Sequence, residues 1–341
     1  MILFRADGNA QIGSGHIMRC LSIADAFKRK KTDCKFVLAD KTFQPLIEDR
    51  GYSVHVLETD YRDMDSERDY LQKEISTYCP ELVVVDSYFV TKSYLQSLKA
   101  NVRLVYIDDL AAFAYPVDVL VNYNAYGSEL DYKKLYNDER TFCPQLLLGV
   151  AYAPLREMFR NVPKREQKET VENVLVSTGG SDPAHLAMKT VGYVARDNTF
   201  NWHFLIGTMN PDYGTISKIA EKNNKIHIHY NVKDMKALIC SCDLAVSAAG
   251  STMYEIAACG VPMIAYILAD NQIPGAKTFA KLGLAVSCGD LRNKENAATI
   301  LMDAVDRTVK NYVLRKQISE KMQNMVDGLG ADRLARELLD I

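Results

Sequence analysis

The chain has 341 residues, 48% of them hydrophobic and 25% charged, with a formal net charge of −2. This is an ordinary globular balance, and it excludes nucleic-acid or membrane-surface binding driven by bulk charge. A domain usually holds about 100–200 residues, so the length predicts two.

The opening residues, MILFRADG, lack the basic start and long apolar stretch of a secretory signal. No run reaches the ~18–20 apolar residues of a spanning helix, so no membrane insertion is expected. MILFRAD reads as a buried strand. HIMRCLSIADAFKRK follows at helical spacing, with Ile17, Leu21, Ala24 and Phe27 on one face. The pattern then repeats: CKFVLAD as strand, TFQPLIEDRG as helix, YSVHVL as strand, SERDYLQKEISTYC as helix. ELVVVDSY, RLVYIDD, VDVLVNY and FCPQLLLG are further strands, with SYLQSLKA as a helix. Residues 161–173, NVPKREQKETVEN, are charged and lack an apolar cluster, which predicts a linker. After them the alternation restarts at NVLVSTGG and runs through NWHFLIG, KIHIHYNV, DLAVSAAG, VPMIAYIL and LAVSCG, with helices between and at the end.

Strands alternating with helices of this length predict parallel sheets covered on both faces. The expectation is an α/β chain of two Rossmann-like, doubly wound domains: residues 1–160 and, after the linker, 174–341. The eight cysteines include one close pair, Cys240 and Cys242, with no second pair at zinc-finger spacing. Reduced thiols, a cytoplasmic setting and no metal site follow.

Ligands of doubly wound sheets sit beyond the carboxyl ends of the strands. After the first strand, Gly13 and Gly15 allow a sharp turn and close backbone approach, before a helix N-terminus suited to an anion. His16 stands at that junction, where an imidazole can act as a general base; capping the helix is the alternative. The spacing GxGH is not the dinucleotide fingerprint, and only Asp40 lies near the next strand's acidic position, which disfavours a nicotinamide enzyme. In STGGSDP, Gly179 and Gly180 offer room for a diphosphate, while Ser181 and Asp182 can cap a helix begun by Pro183. In SAAGSTMYEIAACGVP, Gly250 leaves space above a strand end. Ser251 and Thr252 open a helix there, and Glu255 can accept two ribose hydroxyls or close a capping box. Asn271 and Gln272 in LADNQ are neutral hydrogen-bonders for sugar or phosphate. Asp86, Tyr88, Asp108 and Asp109 also stand at strand ends. An Asp there orients a histidine, holds a hydroxyl or caps a turn, and Tyr88 offers a hydroxyl to a sugar or leaving group.

Taken in order, FRADGNAQIGSGHIMR, VVVDSY, IDD, VNYNAYG, STGGSDP, SAAGSTMYEIAACGVP and ADNQ resemble the UDP-2,4-diacetamido-2,4,6-trideoxy-β-L-altropyranose hydrolases of pseudaminic acid biosynthesis. The resemblance runs from Arg5 to about Gly330–Arg333. It implies the GT-B fold, two Rossmann-like domains facing a cleft, shared with the peptidoglycan N-acetylglucosaminyltransferase. It also implies inverting, metal-independent attack of water on C1 of a UDP-sugar, with no cofactor and with His16 as the catalytic base. Tyr88 and Asn271 carry over as substrate-binding or catalytic, and Gly180, Ser181, Gly250, Ser251 and Glu255 as UDP contacts. The backbone around Val232 would meet the uracil. Asp7 or Asp86 would orient His16. No DxD pair is spaced for a metal-dependent transferase, since Asp108 and Asp109 are adjacent. The expected partner is a small-molecule UDP-sugar, not nucleic acid, and the expected state is a monomer. Two other readings are a GT-B glycosyltransferase with a UDP-sugar donor and a non-catalytic nucleotide-sugar binding protein. A UDP-sugar 2-epimerase shares the plan but lacks the motif order.

Overall fold

The computed structural model describes residues 1–9, 11–196 and 199–340. The chain divides into two compact units, Met1–Glu157 with Leu329–Ile341, and Met158–Gly328.

In the first unit, strands β1 (Ile2–Ala6), β2 (Cys34–Leu38), β3 (Ser53–Val56), β4 (Leu82–Asp86), β5 (Arg103–Ile107), β6 (Val119–Asn122) and β7 (Gln145–Leu148) form one parallel sheet. Its order is β3-β2-β1-β4-β5-β6-β7. Helices α1 (Gly15–Arg29), α2 (Gln44–Asp49), α3 (Arg68–Tyr78), α4 (Lys92–Lys99) and α5 (Tyr132–Asp138) connect them. The strands are buried runs because both faces are covered: β1, β2, β4 and β6 bury every residue. Leu3, Val83, Val85, Tyr94, Leu104 and Leu120 share one core on one side. Ala6 pairs with Asp86, so β1 and β4 end level. Helix α5 falls in a stretch without strong apolar periodicity; the Asp131 side chain caps it through Lys134 N–H.

In the second unit, β8 (Asn173–Ser177), β9 (Asn201–Ile206), β10 (Ile226–Tyr230), β11 (Leu244–Ala248), β12 (Met263–Ile267) and β13 (Val286–Asp290) form a parallel sheet of order β10-β9-β8-β11-β12-β13. Helices α6 (Leu186–Val194), α7 (Tyr213–Ala220), α8 (Met235–Ser241), α9 (Thr252–Cys259), α10 (Ile273–Lys281), α11 (Ala297–Val309) and α12 (Tyr312–Met325) belong to it. Its core centres on Val174, Val176, Trp202, Phe204, Val246 and Leu301.

Two segments lie elsewhere than the expected bounds. The last helix, α13 (Gly330–Leu339), belongs to the first unit. Its Ala331, Leu334, Ala335 and Leu338 are buried, and Arg29 on α1 donates to Asp332 at 2.7 Å. A Cβ on Gly330 would lie 2.1 Å from the Ala153 carbonyl oxygen, which marks how closely the helix start is seated. Residues 161–173 are held within the second unit by polar bonds that composition conceals. The Arg165 guanidinium donates to the carbonyls of Cys240 and Cys242, Gln167 donates to Ser319 Oγ, and Arg315 donates to the carbonyls of Lys168 and Glu169. Among the described residues, no helix is long and apolar enough to cross a membrane.

Candidate functional site

In a doubly wound sheet, the loops at the carboxyl ends separate where the strand order reverses, and ligands bind at that point. The first sheet reverses between β1 and β4, the second between β8 and β11. Each reversal is flanked by loops singled out above.

At the first reversal, Gly13 turns the chain with φ +76°, and its N–H bonds the Asn9 carbonyl at 2.8 Å. Helix α1 then starts at Gly15, and the next residue, His16, is buried. His16 Nδ1 lies 2.6 Å from Asp86 Oδ1 at the tip of β4. Arg19, one turn further along α1, donates from Nε to Asp86 Oδ2 at 2.6 Å and from Nη2 to Asp86 Oδ1 at 2.5 Å. Its Nη1 donates to Asp109 Oδ2 at 3.0 Å and to the Tyr123 hydroxyl at 2.9 Å. Tyr88 donates its hydroxyl hydrogen to Asp109 at 2.8 Å, and its ring stands edge-on to His16 with centroids 4.7 Å apart. Asn124 donates to the other Asp109 oxygen at 2.7 Å.

The electrostatics fix the histidine's tautomer. Burial would raise the Asp86 carboxyl, but Arg19 and then His16 outweigh it and hold the group well below the usual carboxylate range. An ionised carboxylate only accepts, so His16 Nδ1 carries a hydrogen, and in the neutral imidazole Nε2 is then the nitrogen with the lone pair. The contact of 3.3 Å between Arg19 Nη2 and His16 Nδ1 arises because both donate to the same oxygen. Burial would lower Arg19, yet Asp109 and Asp86 raise it well above its ordinary value. Burial pushes the Tyr123 phenol up to about 12, so it remains neutral. One guanidinium thus faces two carboxylates, and a proton taken up by His16 brings these four groups to electroneutrality. Such a histidine is oriented to remove a proton from water or a hydroxyl.

Of the two expected orienters, Asp86 is the one that meets His16. Asp7 is committed elsewhere: it accepts from Arg5 at 2.5 Å and from Ala39 N–H at 2.7 Å. Asp108 serves the fold, accepting from the Leu110 and Ala111 amides and from the Tyr115 and Tyr132 hydroxyls.

At the second reversal, Gly179 has φ +86° and Gly180 follows it. The neighbouring loop seats closely here, since a Cβ on Gly207 would lie 2.2 Å from the Gly180 carbonyl oxygen. Helix α6 begins at Leu186 rather than at Pro183. Asp182 and His185 adopt left-handed backbone with φ +46° and +52°, which postpones the helix. The buried Asp182 carboxylate then accepts from the Leu186 and Ala187 amides at 3.0 and 2.8 Å. Two donors expected for a diphosphate at this helix are therefore already bonded within the loop. Across the reversal, a Cβ on Gly250 would meet no atom within 4 Å, and the Ser251 side chain makes no capping bond to α9. The Ser251 half of the expected capping box is thus absent. Glu255 lies in the first turn of α9 and is partly exposed. Beyond the next strand, Asn271 is exposed, while Gln272 Oε1 accepts from the Leu268 amide at 2.8 Å and braces its own loop. Val232 lies in the loop after β10, at the sheet's far edge.

Arg19, Tyr123 and Asn124 are not among the residues the sequence predicts for this cluster, and Asp109 reads from sequence only as a strand-end acid. The signal for Arg19 was its i+3 spacing from His16, which puts both on one helix face.

The solved structure of MurG from Acinetobacter baumannii superposes with a TM-score of 0.71 at 14% identity, covering 100% of this chain and 99% of that one. The chain has the GT-B fold. Within this GT-B protein, residues 164–330 match the glycosyltransferase family 28 C-terminal domain. Three curated relatives are similar in sequence. An uncharacterised protein of Methanocaldococcus jannaschii is 25% identical over 78% of the GT-B chain, which spans only 55% of that protein's length. The spore coat polysaccharide biosynthesis protein SpsG of Bacillus subtilis is 24% identical over 98% of this chain and 97% of its own. The UDP-2,4-diacetamido-2,4,6-trideoxy-β-L-altropyranose hydrolase of Campylobacter jejuni is 25% identical over 84% of this chain and 98% of its own. The resemblance read from the motifs is thus present along the GT-B chain.

Proposed function

We propose that the chain hydrolyses a UDP-linked diacetamido-trideoxy sugar at its anomeric carbon, with UDP-2,4-diacetamido-2,4,6-trideoxy-β-L-altropyranose as the substrate. The reaction would serve pseudaminic acid or a related surface polysaccharide. The observation that carries this reading is the pairing of buried His16 with ionised Asp86 at 2.6 Å, which leaves Nε2 as a base. The name and coverage of the Campylobacter relative support it.

In this mechanism His16 Nε2 removes a proton from water as the water oxygen bonds to C1. The C1–O bond to UDP breaks on the opposite side, and configuration inverts. The imidazolium so formed is stabilised by Asp86, as in other histidine–carboxylate pairs. Tyr88 holds the ring edge and keeps the neighbouring carboxylate in place. UDP is a good leaving group, and its charge needs stabilisation more than protonation; backbone N–H groups of the Gly179–Ser181 loop and of the Gly250–Ser251 helix start supply it. No metal ion takes part. Glu255 accepts the ribose hydroxyls, and Asn271 bonds the sugar.

The test is UDP release from a panel of UDP-sugars in EDTA with no acceptor present. Release of UDP with free sugar of inverted configuration is the expected result. Tight UDP binding with no release from any donor would overturn hydrolysis in favour of transfer to an acceptor, the reading that the match to the glycosyltransferase family 28 domain would then support. The nucleotide contact has its own check. Glu255→Ala should weaken UDP binding by about 1–3 kcal/mol, the cost of losing charged hydrogen bonds, as measured by calorimetry. An unchanged affinity would remove Glu255 from the site.

A further inference from the structure

A second cluster of titratable groups lies on the second sheet. His227 and His229 alternate along β10, the edge strand, and His203 on β9 pairs directly with His227, so all three side chains project from one face. His203 Nδ1 stands 3.0 Å from His229 Nε2. The His203 ring is near-parallel to both neighbours, with centroids 4.9 Å from His227 and 5.2 Å from His229. All three histidines are half-buried and open to solvent.

The surroundings set which nitrogens carry lone pairs. Asn173 Nδ2 points to Asp243 at 3.5 Å, and Asn201 donates to Asn173 Oδ1 at 3.2 Å, so that oxygen is an acceptor. His203 Nε2 lies 3.3 Å from it and therefore holds the hydrogen. His203 Nδ1 is left with a lone pair aimed at His229. A carboxylate or amide oxygen bonded to the far side of an imidazole is the arrangement that orients histidine ligands of metals.

We propose that His203 Nδ1 and His229 Nε2 chelate one divalent transition ion of the zinc, nickel or copper class. Imidazole nitrogens lie about 2.0–2.1 Å from zinc, which separates two of them by about 2.9 Å at a right angle and about 3.3 Å at a tetrahedral angle. The observed separation falls in that range without movement of either strand; binding requires the hydrogen that His229 Nε2 donates to His203 Nδ1 to move to His229 Nδ1, and both rings to turn so that their lone pairs converge. Imidazole donors suit these ions, whereas magnesium and calcium require oxygen. Among the described residues, no group of three His, Cys, Asp or Glu encloses a metal ion. The ion would hold two protein nitrogens and complete its shell with water, which makes it exchangeable. It would also tie the edge strand to its neighbour by a bond stronger than the present His–His hydrogen bond.

The site is independent of the nucleotide-sugar reading, and its test uses neither substrate nor turnover. Zinc and nickel chlorides are titrated into the full chain by calorimetry, with thermal unfolding followed in parallel. One equivalent should bind, raise the unfolding midpoint and be stripped by EDTA. His229→Gln should weaken binding about tenfold or more, and His203→Gln likewise, while His55→Gln and His185→Gln leave it unchanged. Because His229 is on the edge strand, its variant keeps the test open if the His203 variant does not fold. Equal affinity in wild type and His229→Gln, or no binding of either ion at millimolar concentration, would overturn the proposal.

Discussion

His16→Asn is expected to lower turnover of the UDP-sugar by about 100- to 10,000-fold, the usual contribution of a positioned general base, while UDP affinity stays within a factor of two or so of wild type. Asparagine keeps a side-chain donor that can face Asp86 and removes the basic nitrogen. The effect therefore isolates proton removal from packing. Steady-state release of UDP gives kcat, and calorimetry with UDP gives the affinity. Loss of UDP binding together with activity would assign His16 to the fold instead of the chemistry. The edge contact from Tyr88 and the bond from Asp86 would then serve only to fill the β1–β4 reversal.

The second large effect is expected at Asp86, through both stability and activity. Asp86→Asn removes the acceptor shared by His16 and Arg19 and substitutes a group with one accepting and one donating end. If the amide N–H faces His16, Nδ1 must accept, and the lone pair leaves Nε2; turnover should fall by about 100- to 10,000-fold. Arg19 also loses a fully buried counterion, a change that typically costs about 3–5 kcal/mol, here toward the lower end because Asp109 still faces the guanidinium. Denaturant unfolding measures this. The acid branch gives an independent reading with a definite sign. The native Asp86 carboxyl is held far below its unfolded value of about 3.9. Its stabilisation is therefore complete above that value and is lost as pH falls from there through the native one. The wild-type protein should lose stability more steeply than the variant below about pH 4. Identical acid slopes together with unaltered kcat would sink the assignment.

Much of the scaffold can be read directly from residue patterns. Strands such as LVVVD and MIAYI are short, continuously apolar and bounded by turn residues, because each is covered on both faces. The helices between them show the 3.6-residue period. What periodicity omits is the partner. Helix α13 reads as amphipathic, but nothing in GADRLARELL states which apolar surface receives it, and it joins the first unit. Residues 161–173 read as a linker because their anchoring is polar, through Arg165, Gln167 and Arg315, and polar anchoring has no periodic signature.

The site was legible to a similar depth. His16, Asp86 and Tyr88 stand at strand ends or a loop–helix junction, where chain topology alone draws attention. Between Asp108 and Asp109 the sequence offers no choice. Successive residues leave a strand on opposite sides, and here Asp108 turns to two amides and two tyrosines while Asp109 turns to Arg19, Tyr88 and Asn124. Arg19 was hidden by its identity, since an arginine on an amphipathic helix ordinarily reads as surface. Its burial follows from two carboxylates that lie about 70 and 90 positions away in the chain.

The return of α13 to the first unit sets an order of events during translation. A polypeptide leaves the ribosome from its N-terminus, and domains generally fold as they emerge. The segment Met158–Gly328 is continuous, so the second unit has all its parts as soon as that stretch has cleared the exit tunnel. The first unit, although begun earlier, lacks the helix whose Asp332 bonds Arg29 on α1 until residues downstream of the whole second unit have emerged. The unit that carries His16 is therefore finished after the second unit, although its first strand is made before it. A nascent chain that stalls before α13 has emerged would hold the histidine loop in a half-built domain.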